Sequence, residues 1–297
     1  MSADGLVVVD KPAGMTSHDV VSRIRRLART RRVGHGGTLD PMATGVLIVG
    51  VNRATRLLTY VIGTAKSYAA TVRLGQSTLT DDAEGEVVAT TPAGHLTEEA
   101  IRAGLQALTG EIDQVPSAVS AIKVNGERAY RRVRAGEEVQ LAPRRVTISR
   151  LDLTALRRTT VAGVDVVDID IEVDCSSGTY VRALARDLGA GLGVGGHLTA
   201  LRRTAVGGFT LTEALTLAEL ERRAPEVISL PLADAAARLF PRRDVGARDA
   251  KVLSHGGQLA PVGIEGPYAV FDPAGRLIAV VRERAGRARA EVVFASA

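Results

Sequence analysis

Apolar positions along this chain recur with two periods, and the switching between them predicts a mixed α+β protein. Gly5 to Asp10 (GLVVVD) is a continuous apolar run that reads as a strand, turned by Lys11-Pro-Ala-Gly14. Thr16 or Ser17 caps a helix that carries Val20, Val21, Ile24 and Leu27 on one side, with Asp19 as capping partner. Val46 to Val49 reads as a buried strand, and Ser67 to Gly75 alternates as a half-buried one. Thr97 to Leu108 is a helix that starts at Thr-Glu-Glu and stops at Gly110. Val161 to Asp174 is a strand run. Thr179 is expected to cap a helix through Leu188, with Val181, Leu184 and Leu188 on one stripe and Gly189 at its end. Thr216 is available to cap a short helix, Leu217 to Arg223. Near the end come a helix (Ala247 to Ser254) and strands Tyr268–Phe271, Leu277–Arg282 and Ala288–Phe294, with Asp272–Gly275 as a hairpin turn.

The 297 residues favour one large and one small domain, and the 45% hydrophobic fraction is enough for a real core. Phe240-Pro241-Arg242-Arg243-Asp244 marks the approach to the smaller one, so the expected division is 1–235 and 236–297. No run of eighteen apolar residues suggests a membrane span, and the first residues lack the features of a secretory signal. The single Cys175 excludes an intrachain disulfide and a cysteine-cluster metal site. A soluble, cytoplasmic protein is expected.

Net charge is +5, which permits a polyanionic partner without demanding one. Only four of the 38 basic residues are lysines, a bias that fits a GC-rich genome, so arginine abundance alone says little about RNA. Where arginines cluster says more. Gln114 to Arg145 holds Lys123, Arg128, Arg131, Arg132, Arg134, Arg144 and Arg145 around Tyr130, with little apolar periodicity. It reads either as a solvated loop or hairpin, or as an arm lying along a phosphate backbone. The five histidines lack metal-ligand spacing, and no phosphate-binding loop is visible. Gly191 to Gly196 (GLGVGG) follows a helical pattern instead of a strand, which argues for a helix end and loop, not a dinucleotide site.

The candidate chemistry sits in Arg31 to Leu47, RRVGHGGTLDPMATGVL. Gly34, Gly36 and Gly37 allow tight turns and close approach to a ligand. Pro41 biases Asp40 away from helical geometry, and the apolar run after it can anchor the loop. An Asp-Pro among glycines is ordinarily a turn and nothing more. Two other spots change that. Lys66-Ser67-Tyr68 heads a strand in a chain with five tyrosines and no tryptophan, so aromatic platforms are scarce. Gly178-Thr179-Tyr180-Val181-Arg182 puts a cation in a first helical turn, where it opposes the helix dipole unless a carboxylate pairs with it. Asp40 is the candidate partner, and such a pair would orient the acid and keep it ionised. On local grounds Arg182 reaching solvent or a phosphate is the alternative.

Six stretches in order resemble the TruB family of bacterial tRNA pseudouridine-55 synthases. They are DKPAGMTS from Asp10, GHGGTLDPMATGVL from Gly34, KSYAATVRLG from Lys66, VPSAVSAIKVNGERAY from Val115, CSSGTYVRALARDLG from Cys175 and LRRTAVGGF from Leu201. The likeness spans about the first 235 residues. It implies an α+β pseudouridine synthase fold, a mixed and mainly antiparallel sheet flanked by helices, with a small mainly-β PUA-like domain at the C-terminus. Asp40 would be the essential catalytic aspartate, with Tyr68 packed on the target base and Arg182 paired with Asp40. Leu201 would line the pocket, and His35 would enter the RNA loop in place of the extruded nucleotide. Lys11, Tyr180, Lys123, Arg131 and Arg132 are expected among the substrate-binding residues, the last three in a thumb of about 114–145. The resemblance implies no cofactor or metal, a tRNA T arm as partner and no required protein partner; a monomer is the default expectation.

The reaction so implied breaks the N1–C1′ bond of a flipped uridine and joins C5 to C1′. Asp40 would attack C1′ or abstract the C2′ proton, and the residues do not choose between these. Three rivals stand beside this reading. A non-catalytic tRNA-binding or folding factor fits the basic arm but leaves Asp40, Tyr68 and Arg182 unused. A nucleoside hydrolase or glycosidase ordinarily needs a second carboxylate or a metal. An RNA-guided relative of the family acts inside a protein assembly, whereas the long Gln114–Arg145 segment favours direct reading of tRNA.

Overall fold

The computed structural model of the chain describes residues 3–117 and 141–294, together with the backbone of 123–124 and 127–128. Two compact units interleave along the sequence. Unit 1 comprises residues 1–39, 46–62 and 208–297, and unit 2 comprises 40–45 and 63–207.

Unit 1 begins with β1 (Gly5–Lys11), whose Leu6 to Val9 are fully buried. Helix α1 (Ser17–Leu27) follows behind the expected capping box: Asp19 N–H donates to Thr16 Oγ1, and Thr16 N–H donates to Asp19 Oδ2. Its Val20, Val21 and Ile24 point inward, the 3.6-residue period read from the sequence. Strand β2 (Val33–His35) pairs antiparallel with β3 (Thr44–Val51). A short helix, α2 (Leu58–Ile62), closes this stretch of the unit.

Unit 2 is built on antiparallel strands. Strand β4 (Lys66–Leu74) alternates buried and half-buried along its whole length, the pattern of a strand covered on one face. A small hairpin of β5 (Gln76–Thr78) and β6 (Val87–Thr90) comes next, then α3 (Glu98–Ala107), capped by Thr97, and β7 (Gly110–Gln114). Lys123–Val124 (β8) and Glu127–Arg128 (β9) pair with each other. The longest strands are β10 (Arg144–Val161) and β11 (Val164–Cys175), followed by α4 (Val181–Gly191) and β12 (Gly196–Val206). Their order across the sheet is β12-β4-β11-β10-β7.

Two expectations are corrected here. The run Val161 to Asp174 is not one strand: Val161 ends β10, and Ala162-Gly163 turns the chain into β11. Both turn residues have positive φ (49° and 81°), the two-residue hairpin geometry that matches strand twist. Thr179 does not cap α4 either. Its hydroxyl donates to Ser176 O, and Tyr180 occupies the cap position without a side-chain bond. The helix begins at Val181, one residue later than a Thr179 cap requires. The GLGVGG segment serves packing. A Cβ on Gly189 would lie 2.2 Å from Gly195 C, and one on Gly196 would lie 2.5 Å from Ala185 O, so only glycines let β12 start against α4.

Unit 1 resumes with β13 (Phe209–Thr210), α5 (Leu217–Arg223) behind the expected Thr216 cap, and β14 (Leu230–Pro231), which pairs with β1. Helix α6 (Leu232–Leu239) leads into a five-stranded sheet. Its strands are β15 (Arg242–Asp244), β16 (Gln258–Leu259), β17 (Pro267–Phe271), β18 (Leu277–Arg284) and β19 (Arg287–Val293), with α7 (Ala247–Ser254) packed on them. Leu253, Tyr268, Val270, Ala279, Val281 and Ala288 form its core. This small β region and the mixed sheet of unit 2 give the α+β class expected from the apolar pattern.

Candidate active site

The Asp40 loop is shaped by its flanks. Upstream, Leu39 N–H donates to Ser17 Oγ, and Ser17 Oγ donates back to Leu39 O, a buried reciprocal pair at 2.9 and 3.1 Å. Downstream, Ala43 N–H donates to Asp40 O and closes a turn. Thr44 and Gly45 then pair parallel with Arg202 and Arg203 of β12. A Cβ on Gly45 would sit 2.2 Å from Arg203 O, and its φ is +101°. This glycine, not the three singled out before Asp40, is the one that lets the loop lie against a unit 2 strand.

Asp40 meets Arg182 directly. Arg182 Nε stands 3.1 Å from Asp40 Oδ2, and its Nη1 donates to Thr80 O at 2.9 Å and lies 3.4 Å from Asp82 Oδ2. The exposures of the three side chains decide their parts: Arg182 is 7% exposed, Asp82 is 3% and Asp40 is 34%. The arginine and Asp82 form the buried support, and Asp40 is the member that opens to solvent. Asp82 is itself held by Glu84 N–H at 3.1 Å and by the Thr80 hydroxyl. A single guanidinium reaches both carboxylates and the Thr80 carbonyl through Nε and Nη1, a planar geometry that a lysine ammonium cannot reproduce.

Asp82 escaped sequence reasoning. Thr80-Asp81-Asp82 before Gly85 reads as an ordinary acidic turn, and only the β5–β6 hairpin carries it to Arg182. Its neighbour Asp81 adopts a positive φ of 59° and turns toward Arg186, 3.4 Å away. Two adjacent aspartates therefore serve two arginines one helical turn apart on α4. Such a spacing, Asp-Asp in one segment and Arg at i and i+4 in another, is a signal the sequence did contain.

Tyr68 and Leu201 arrive on one face of the sheet. Tyr68 of β4 lies opposite Arg203 of β12, and Ala70 lies opposite Leu201. Directly opposed residues project to the same side, so Lys66, Tyr68, Ala70, Leu201 and Arg203 share that side. Burial raises the Tyr68 phenol above its ordinary value. Arg203, hydrogen-bonded to it, pulls the other way, and the Asp40 charge adds to the rise. Burial, helped by the Arg203 charge, brings the Lys66 ammonium down to about 8, while Lys66 Nζ donates to Thr64 O at 2.7 Å. A cavity of about 550 Å³ is lined by Met42, Thr44, Ala70, Ala83, Leu201 and Arg202 among others. Thr154, Asp170 and Glu172 also line it, and Asp40 and Tyr68 do not, so it does not enclose the Asp40 carboxylate.

The remaining expected residues fall in different places. Tyr180 is held by Gln114, whose side-chain amide accepts from Tyr180 N–H at 2.8 Å and donates to Tyr180 O at 3.1 Å. The Arg144 guanidinium lies 5.9 Å from the Tyr180 ring centre. Lys11 lies in unit 1 and is fully buried, with Nζ donating to Pro12 O and Met15 O, so it shapes the loop after β1. His35 ends β2 in unit 1 and meets His18 edge to face, with ring centres 5.2 Å apart. The side chain of Lys123, and Arg131 and Arg132 altogether, lie outside the described residues.

Comparison with known proteins addresses the family and the fold. Residues 25–181 match the N-terminal domain of the TruB family pseudouridylate synthases. Residues 182–226 match the tRNA pseudouridylate synthase B C-terminal domain, and 240–295 match the tRNA pseudouridine synthase II C-terminal model. The chain is 58% identical over 293 residues to tRNA pseudouridine synthase B of Thermobifida fusca (strain YX), covering 99% of each. It is 57% identical to the protein of that name from Mycobacteroides abscessus, over 99% of this chain and 97% of the other. Among solved structures, a chain of a Cbf5–Nop10–Gar1 complex aligns with a TM-score of 0.71 and 26% identity, covering 98% of this chain and 84% of that one. An archaeal box H/ACA Nop10–Cbf5 complex aligns at 0.68 and 26%, covering 98% and 85%. An arginine-held carboxylate on a mainly antiparallel sheet and matches along most of the chain lead to one conclusion: this protein belongs to the TruB family of pseudouridylate synthases.

Proposed function

We propose that this chain isomerises uridine-55 in the T loop of tRNA to pseudouridine, with Asp40 as the catalytic carboxylate and no cofactor. The observation that carries the reading is the Asp40–Arg182–Asp82 chain, a half-open carboxylate oriented by a buried cation. The target base leaves its stack at a cost of a few kcal/mol, offset by contacts in the protein. His35 fills the vacated place in the loop. The N1–C1′ bond breaks, the uracil turns, C5 bonds to C1′, and the C5 proton is lost as N1 gains one. Asp40 acts either on C1′ as a nucleophile or on the C2′ proton to give a glycal. Arg182 supports both routes by fixing the carboxylate and countering its charge. Tyr68, whose phenol burial pushes above its ordinary value, suits stacking on the base better than service as a standing base. Leu201 offers apolar wall, and Tyr180 stands at the entrance to α4. The basic segment around Lys123, Arg131 and Arg132 grips the T arm, and residues 236–297 act as a PUA-like RNA-binding domain. The protein works as a cytoplasmic monomer without an obligatory protein partner.

The test pairs wild type with Asp40→Asn on a T-arm hairpin, with chemical mapping of pseudouridine and a binding titration. Asp40→Asn is expected to form no product while binding within tenfold of wild type, about 1.4 kcal/mol. Product at the wild-type rate would remove Asp40 from the chemistry.

A further inference from the structure

Arg186 follows Arg182 by one turn of α4, and its guanidinium joins three separate stretches of unit 2. Nε and Nη2 reach Oδ1 of the neighbouring Asp187 at 2.9 and 2.8 Å, which fixes the plane of the group. Nη2 also donates to Val115 O at 2.7 Å, one residue past β7. Nη1 stands 3.4 Å from Asp81 Oδ2 in the turn of the β5–β6 hairpin. A second tether joins β7 to α4 on the other side of Arg182. Gln114, the last residue of β7, exchanges two hydrogen bonds with the backbone of Tyr180, the residue before the helix. Arg182 thus lies between two points at which α4 is fastened to the end of β7.

Asp81 connects Arg186 to the chemistry. Its side chain is 14% exposed, and burial raises its carboxyl above the ordinary value. The Arg186 and Arg182 charges are among the groups that pull the other way, so this acid feels both arginines. Its φ of +59° is one that aspartate tolerates and most residues avoid. That conformation gives the Asp81 carboxylate to Arg186 while Asp82 faces Arg182. Leu198 N–H of β12 donates to Asp81 O at 3.0 Å, which pins the turn where it stands. Without Arg186, a largely buried carboxylate would be left beside Arg182 with no cation of its own. Arg182 would then answer three carboxylates, and Asp40, the most exposed of them, is the easiest to release. We propose that Arg186 is a positioning residue for the reaction: it neutralises Asp81 and so reserves Arg182 for Asp40 and Asp82. The inference rests on the functional reading above, in which Asp40 is the reacting carboxylate. A partly exposed pair of this kind adds little to stability, so its effect belongs in the rate.

The test compares wild type, R186Q and D81N/R186Q on a T-arm hairpin. Single-turnover pseudouridine formation at saturating enzyme, a binding titration and thermal melting are measured for each. R186Q is expected to react about tenfold or more slowly than wild type while binding within about threefold of it. D81N/R186Q, which removes the stranded charge, is expected to return to within about threefold of the wild-type rate. A pair that served only the fold would not behave so, because a second lesion in the turn would restore no rate. R186Q at the wild-type rate overturns the proposal, and so does a D81N/R186Q protein as slow as R186Q. Should R186Q fail to fold, the double variant decides alone: the wild-type rate upholds the role of Arg186, and a slow or unfolded protein overturns it. Wild type that binds the hairpin without converting it overturns the enzymatic reading and this role with it. Conversion by wild type and equally by R186Q overturns the role of Arg186 and leaves the enzymatic reading standing.

Discussion

Unit 2 builds the same ion pair, aspartate with arginine, in two settings that differ in exposure. On its solvent-facing side β11 presents Asp168, Asp170, Glu172 and Asp174 at every second position, and Arg73, Arg157 and Arg150 answer them. Arg73 binds Asp168 through two nitrogens at 2.8 Å, and Arg157 binds Asp170 through two as well. At the Asp40 site the contacts are fewer and longer, 3.1 and 3.4 Å, yet the arginine there is 7% exposed against 50% for Arg157. Shorter is not stronger here. Solvent and salt screen the pairs of Arg157 and Arg150, so these contribute little despite good geometry, whereas Arg73–Asp168 is half-buried. Around Arg182 water is largely excluded, so each charge depends on the others and removing one strands the rest. A ladder of alternating charge keeps a broad sheet soluble; a buried pair fixes the position of one oxygen.

This contrast can be broken at either end. Arg182→Met is expected to have the largest effect, because it leaves Asp82 buried without its cation. Single-turnover pseudouridine formation should fall by at least a thousandfold, and chemical denaturation should show a stability loss of about 3 kcal/mol. Asp82→Asn in the same background should return part of the stability but none of the rate. An Arg182→Met protein that unfolds and reacts like wild type would show that burial confers nothing on this pair.

Lys66 probes the buried face by pH. Its folded ammonium titrates near 8 and the unfolded one near 10.5, so between those values the unfolded chain holds more protons. Its contribution to stability therefore rises with pH through that window, with a slope approaching 1.4 kcal/mol per pH unit. The stability of wild type minus that of Lys66→Met should climb from pH 8 to 10 and stay flat below 7. A flat difference throughout would mean that the face is wetter than its burial implies. The smallest effect is expected on the ladder: Arg157→Gln should keep the melting temperature within about 2 °C and leave the single-turnover rate unaltered. A clear loss of rate would show that the outer face is coupled to the site.

Elements that carry their own signals were legible in advance. The Thr16–Asp19 capping box, the Thr216 cap, α7 and the Asp272–Gly275 turn are set by contacts within a few residues. Thr179 failed as a cap because α4 begins one residue later, with Tyr180 at the cap position. The hairpin at Ala162-Gly163 was missed because β10 past Thr154 is polar and half-exposed, so alternation gave no sign of a second long strand.

At the Asp40 loop the division between sequence and tertiary structure is clearest. By itself the sequence determined that a carboxylate stands on a non-helical turn and that Arg182 lies in a first helical turn in need of an acid, because proline, glycine and the helix dipole act over a few bonds. Six ordered motifs supplied the family. Tertiary structure alone decided that Asp82 stands behind Arg182, that Gly45 must be bare for β12 to approach, and that Tyr68 and Leu201 share one side of a sheet. Those facts depend on strand register and on burial, and both are set by residues a hundred or more positions apart.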